Sequence, residues 1–181
     1  MIPDEVRIAQ HIRENPPSCV TGFRLRSGRL PERLDDFHTA YNLSCPCGHG
    51  QGSVRGYPLI DYNQYYVGPD FITPLSFRCE ACGAVTQIID TDAHGYHAEV
   101  ARLEGGSGSA KLRGDGEPVP FACPGCSAVL FTVTVCFVYW DFDIMLDEPG
   151  LPGEEFFNLF LIYVSCQNCG TVSSVVDLGK L

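Results

Sequence analysis

Eight of the ten cysteines in this chain fall into four close pairs. They are Cys45 and Cys47 in SCPCGHG, Cys79 and Cys82 in CEACG, Cys123 and Cys126 in CPGC, and Cys166 and Cys169 in CQNCG. A two-residue gap across a tight turn aims both sulfurs at one ion, and two such turns supply four thiolates. Four thiolates fill a tetrahedron and leave no position for water or substrate. Gly83 and Gly170, each directly after its pair, permit the left-handed turn that such a loop needs. Disulfides and buried apolar thiols are the alternatives. Repetition of the pairs in a chain without a secretory leader favours two structural zinc ions. Cys45 and Cys47 are separated by one residue only, so either both sulfurs serve or His49 replaces one of them. Cys19 and Cys136 remain, and both read as buried apolar residues.

The cysteines sit inside a longer repeat. CEACGAVTQIID (79–90) returns as CQNCGTVSSVVD (166–177), with Val85 matching Val172 and Asp90 matching Asp177. In each copy a cysteine turn leads into a strand, a second strand returns to another cysteine turn, and a final strand follows. That order resembles the zinc-ribbon group of folds over about residues 38–92 and 119–178. The resemblance implies a fold and no particular activity.

The elements around the turns follow from composition. Leu130–Trp140 and Phe156–Cys166 are rich in β-branched and aromatic residues, and DFDIMLDEPGLPGEE between them is turn-like. A long antiparallel hairpin with an acidic tip is expected. In the first copy, Ser53–Ile60, Tyr62–Val67 and Phe71–Cys79 are the expected strands. Ala98–Glu104 reads as a short helix and Gly105–Ala110 as a flexible linker. PDEVRIAQHIREN reads as a helix with Val6, Ile8 and Ile12 turned inward. The expected fold class is mainly β: two tandem zinc-ribbon-like antiparallel units with an N-terminal helical segment. Its parts are a helix and arm over 1–37, a first unit over 38–97, a helix and linker over 98–118, and a second unit over 119–181.

The chain has 181 residues and a formal net charge of -10, so general affinity for phosphate backbones is not expected. Charge is uneven: residues 1–33 carry six arginines against four acids. Between Arg113 and Lys180 there are nine carboxylates and no basic residue. The charged N-terminus lacks an apolar signal core, and Ala128–Trp140 is too short to span a bilayer as a helix. A cytoplasmic protein without a membrane segment is expected.

Hydrolase and nucleotide-loop motifs are absent. Asp90, Asp92, His94 and His97 in DTDAHGYH could form an open metal site, or simply a strand end with an Asx-type turn. The matching Asp177 has no histidines after it, which favours the structural reading. The acidic tip mixes Asp141, Asp143, Asp147, Glu148, Glu154 and Glu155 with Trp140 and other large apolar residues. That composition suits an interface with a basic protein, and equally a solvated loop folded back on its hairpin. The leading expectation is a non-enzymatic protein-binding module, either an inhibitor of the immunity type or an adaptor. Nucleic-acid association through Arg7, Arg13, Arg24, Arg26, Arg29 and Arg33 comes second, and a metal-dependent enzyme third.

Overall fold

Helix α1 (Asp4–Glu14) opens with Asp4 and Glu5 and closes with His11 and Arg13, so its charges oppose the helix dipole. It buries Ile8, Ala9 and Ile12. Val6, expected to face inward, is 53% exposed. Two residues are about 200° of helical turn, so Val6 lies across the helix from Ile8. The computed structural model describes residues 4–31, 33–34, 37–94, 112–139 and 157–179. The expected helix over 98–104, the linker over 105–110 and the acidic tip lie outside the described residues.

Nine strands follow: β1 (Arg24–Ser27), β2 (His38–Ser44), β3 (Gln51–Pro58), β4 (Phe71–Cys79), β5 (Val85–Ile89), β6 (Val119–Pro120), β7 (Phe131–Tyr139), β8 (Phe157–Cys166) and β9 (Val172–Gly179). The fold is mainly β, and every pairing between these strands is antiparallel. Two three-stranded meanders carry the cysteine turns: β3-β4-β5 and β7-β8-β9. The β7–β8 hairpin is the one read from composition. In the first unit the third strand is β5, and Tyr62–Val67 is not a strand. Leu59–Asp61 forms a 3₁₀ turn there, and the Asn63 side chain accepts the Tyr65 N–H at 3.1 Å. An Asx turn bends the chain where a strand was expected.

The two units correspond residue by residue. Gly52 lies five residues after Cys47 and Phe131 five after Cys126. Gly52 pairs with Cys79 on β4, and Phe131 pairs with Cys166 on β8. These matched residues also pair with each other across β3 and β7. On either side the exchange is reciprocal. β2, which precedes the first unit's leading cysteine turn, lies along β7, with Asn42 opposite Thr134. β6, which precedes the second unit's leading turn, lies along β3, with Pro120 opposite Arg55. Asn42 and Pro120 are each three residues before the first cysteine of their unit. The pairings are those of an approximate two-fold, and all nine strands belong to one sheet.

One face of this sheet carries a single apolar cluster drawn from both units and from α1, including Ile8, Phe77, Phe121, Phe131, Phe137 and Phe160. Its rings meet mostly edge to face, as Phe121 does with Phe71 and Phe131 at 5.4 and 5.7 Å. The other face of β7 and β8 has a smaller cluster of Cys136, Val138, Leu161 and Tyr163, against which Leu30 and Leu34 pack. Among the described residues, no helix is long and apolar enough to cross a membrane.

Candidate metal centres

Each cysteine turn is set by backbone hydrogen bonds. The Cys79 N–H donates to the Ala84 carbonyl at 2.9 Å and the Gly83 N–H to the Cys79 carbonyl at 3.0 Å. Cys166 and Gly170 repeat these bonds with Thr171 and Cys166 at 2.9 and 3.0 Å. Gly83 and Gly170 have φ of 71° and 74°, a region that side chains avoid. The shorter Cys45–Cys47 turn reaches a similar closure. The Cys45 N–H bonds the His49 carbonyl at 2.8 Å, where the Cys123 N–H bonds Ala128 at 2.8 Å. Gly48 sits at φ 96° and absorbs the missing residue.

These turns assemble two groups of four sulfurs: Cys45, Cys47, Cys79 and Cys82, and Cys123, Cys126, Cys166 and Cys169. The ligand atoms of each group lie within 4.8 Å of one another. Cys45–Cys82 and Cys47–Cys79 are 3.6 and 3.7 Å apart between sulfurs, and Cys123–Cys169 and Cys126–Cys166 are 3.6 and 3.5 Å apart. Sulfurs 2.3 Å from a tetrahedral zinc would be separated by about 3.8 Å. A disulfide would bring them to about 2.0 Å. The spacing fits a metal ion and not a bond, and all ten cysteines are free. The two groups are compatible with zinc-ribbon-like units, and with two metal ions. His49 belongs to neither group, and its Nε2 is buried without a hydrogen-bond partner.

The surroundings divide the thiols: Cys79, Cys126 and Cys169 are drawn toward the thiolate, while Cys45 is pushed up to about 12 and Cys123 to about 11. The Thr171 hydroxyl stands 3.2 Å from Cys169 Sγ, and hydrogen bonds from Thr171, the side chain first, draw this thiol down to about 6. Backbone hydrogen bonding, from Cys82 foremost, lowers Cys79 to about 7. A thiolate is the form that binds metal, and outer partners of this kind tune the ligand. Arg24 lies beside the first cysteine turn: a Cβ placed on Gly48, the residue after Cys47, would be 3.6 Å from its Nη1. A divalent ion with four thiolates has a formal charge of -2, which a nearby guanidinium offsets. Neither Thr171 nor Arg24 was singled out as part of a metal centre by spacing, because only the fold brings Arg24 beside the turn. Cys19 and Cys136 stand apart and are buried. Burial pushes the Cys136 thiol up to about 12.

Asp90, Asp92 and His94 do not form a metal group. Among the described residues, the groups able to hold an ion are the two cysteine sets. Asp90 and Asp92 instead hold Arg113 at 2.7 Å each, through Nη2 and Nε. His94 Nδ1 lies 2.8 Å from the Asp90 carbonyl oxygen. The clamp, with the isolated Thr73–Arg113 bridge beside it, fixes the chain that returns before β6. His97 lies outside the described residues. So do Trp140, Asp141, Asp143, Asp147, Glu148, Glu154 and Glu155.

The N-terminal arginines are placed separately. Arg7 pairs with Asp4 at 3.1 Å. Arg24 and Arg26 stand exposed on β1, while Arg13, Arg29 and Arg33 border one cleft. Compared with family models, curated proteins and solved structures, the chain matches none.

Proposed function

We propose that this protein is a non-catalytic binding module, held together by two structural zinc ions, whose acidic region engages a basic protein. The observation that carries the reading is the closure of both cysteine groups. Four sulfurs at tetrahedral spacing leave an ion no free position, so its role is to fix the fold. β7 and β8 pair from Phe131–Cys166 at the metal end to Tyr139–Phe157 at the other. Residues 140–156, with six carboxylates, connect the strands at that far end. A partner there would be steered by charge and need not touch either centre.

The module acts either as a stoichiometric inhibitor that masks a cationic surface or as an adaptor. The test is capture from native lysate, with metal retained and nuclease present, by the parent chain and by a variant carrying Asp141→Lys with Glu154→Lys. Recovery of one basic protein near 1:1, lost in the variant, is the expected result. Equal recovery by both would overturn the acidic-surface reading. A second reading, nucleic-acid association, draws on Arg24 and Arg26, which make no ion pair with a described carboxylate. It predicts recovery that depends on omitting nuclease and is lost with Arg24→Ala and Arg26→Ala.

A further inference from the structure

The loop that joins β3 to β4 holds two apolar side chains out in water. Its ends are tied where the Leu59 N–H donates to the Asp70 carbonyl at 2.8 Å. Inside it, the Asn63 N–H bonds the Leu59 carbonyl at 2.9 Å and the Tyr66 N–H bonds the Asn63 carbonyl at 3.0 Å. Two of its three tyrosines serve the loop itself. The Tyr62 hydroxyl accepts the Asp115 N–H at 2.8 Å, and the Tyr62 ring meets Tyr57 edge to face at 6.4 Å. The Tyr66 ring covers Gly68, where an added Cβ would overlap it. Burial, with the Asp70 carboxylate beside it, pushes the Tyr66 hydroxyl up to about 12.

Tyr65 and Val67, on either side of Tyr66, are left 87% and 93% exposed. Among the described residues nine large apolar side chains are exposed, and four of them, Ile60, Tyr62, Tyr65 and Val67, fall within eight positions here. The other five are valines spread along the chain. Scattered apolar residues are ordinary on a surface, whereas a cluster on a loop fixed by its own hydrogen bonds is not. A partner need not order such a loop, and a tyrosine offers it a large contact area with few rotatable bonds. Carboxylates flank the cluster. Asp61 is exposed within the loop, and Asp115 and Glu117 are exposed on the segment that Tyr57 and Tyr62 hold. Glu117 lies 3.8 Å from Arg55, and its side chain is 90% exposed.

We infer that Tyr65 and Val67 anchor a protein-docking surface whose occupant is a different protein, with an apolar slot rimmed by lysine or arginine. Asp61, Asp115 and Glu117 face that rim. A second copy bound loop to loop would set the same carboxylates against each other, in a chain of net charge -10. The surface is separate from residues 140–156 and does not rest on the reading proposed for them.

Photo-crosslinking of the metal-loaded full chain tests this, with photoreactive benzoylphenylalanine in place of Tyr65 and, as a control, in place of Val6 on α1. In native lysate, light should attach one protein to position 65 and not to position 6. The attached peptide should carry lysine or arginine beside apolar residues. That protein, purified, is then titrated with the parent chain and variants. Val67→Ser should weaken binding at least about tenfold, and Val67 is too exposed for its loss to unfold the chain. Asp61→Lys with Glu117→Lys should weaken it about threefold at low salt, and Asp141→Lys with Glu154→Lys should leave it unchanged. No adduct at position 65 beyond that at position 6 would overturn the proposal, as would affinity indifferent to Val67→Ser. An adduct with a second copy of this chain, or with a peptide lacking basic residues, would overturn the stated occupant. Binding lost with Asp141→Lys and Glu154→Lys would show that the surface is not separate.

Discussion

Gly52 and Phe131 occupy the same place in their two units and pair directly with each other across β3 and β7. One is the smallest residue and the other among the largest, so the two-fold is broken at its own axis. The Phe77 ring and the Arg78 carbonyl oxygen occupy the space where a Gly52 side chain would begin. One aromatic residue thus fills the centre of each unit: Phe77 from β4 in the first and Phe131 from β7 in the second.

Gly52→Ala should therefore be costly. Overlap with a backbone carbonyl cannot be relieved by a rotamer change, and a loss of about 2–3 kcal/mol is expected. Gly83→Ala meets no atom within 4 Å but adopts a positive φ, so its expected loss is about 1 kcal/mol. Denaturant melts of both variants, with metal saturating, check the order. A larger loss at Gly83 would mean that close packing at the axis is not what requires Gly52.

Arg24 should matter to one metal centre only. Replacing it by Glu places a carboxylate beside a group of net negative charge, and metal affinity there should fall about three- to tenfold. Competition with a chromogenic chelator would resolve two sites of the parent chain into one weakened and one unchanged. Arg26→Glu, farther along the same strand, should alter neither as much. Equal weakening of both sites by Arg24→Glu would contradict the placement of Arg24.

Cutting the chain within GGSGSA (105–110) should not separate the units. β2 and β6 each pair with the other unit's leading ribbon strand, and one apolar cluster runs through both. After limited proteolysis the fragments should elute together by gel filtration with both metal ions still bound. Separate elution of two metal-loaded fragments would show that each unit closes its own sheet.

Much of the metal chemistry was legible in the sequence, because a turn of paired cysteines is a local signal and its glycine marks the conformation. The β7–β8 hairpin was legible for a similar reason: its strands are apolar on both faces and nearly adjacent in the chain. The first unit was read less well. Asn63 closes a local turn inside a Tyr-rich stretch, and strand propensity alone does not register that. β2 went unnoticed because HTAYNLS has no strong apolar alternation, and its main partner is a strand more than ninety residues away. A structural role was favoured for Asp90 and Asp92, but their partner Arg113 was distant in sequence and went unread. The fold supplies the cation, and the carboxylates become half of an ion pair.

The exchange of leading strands also bears on how the protein can be made. The Thr134 hydroxyl donates to the Asn42 side-chain oxygen at 2.7 Å across a separation of 92 residues. During synthesis, β2 emerges long before β7 exists to receive it, so one edge of β2 stays open while β1 pairs with the other. Its cysteine turns can gather an ion early, since Cys45 and Cys82 are only 37 residues apart. An ion bound there would tie the first unit's two cysteine turns together before β7 is translated.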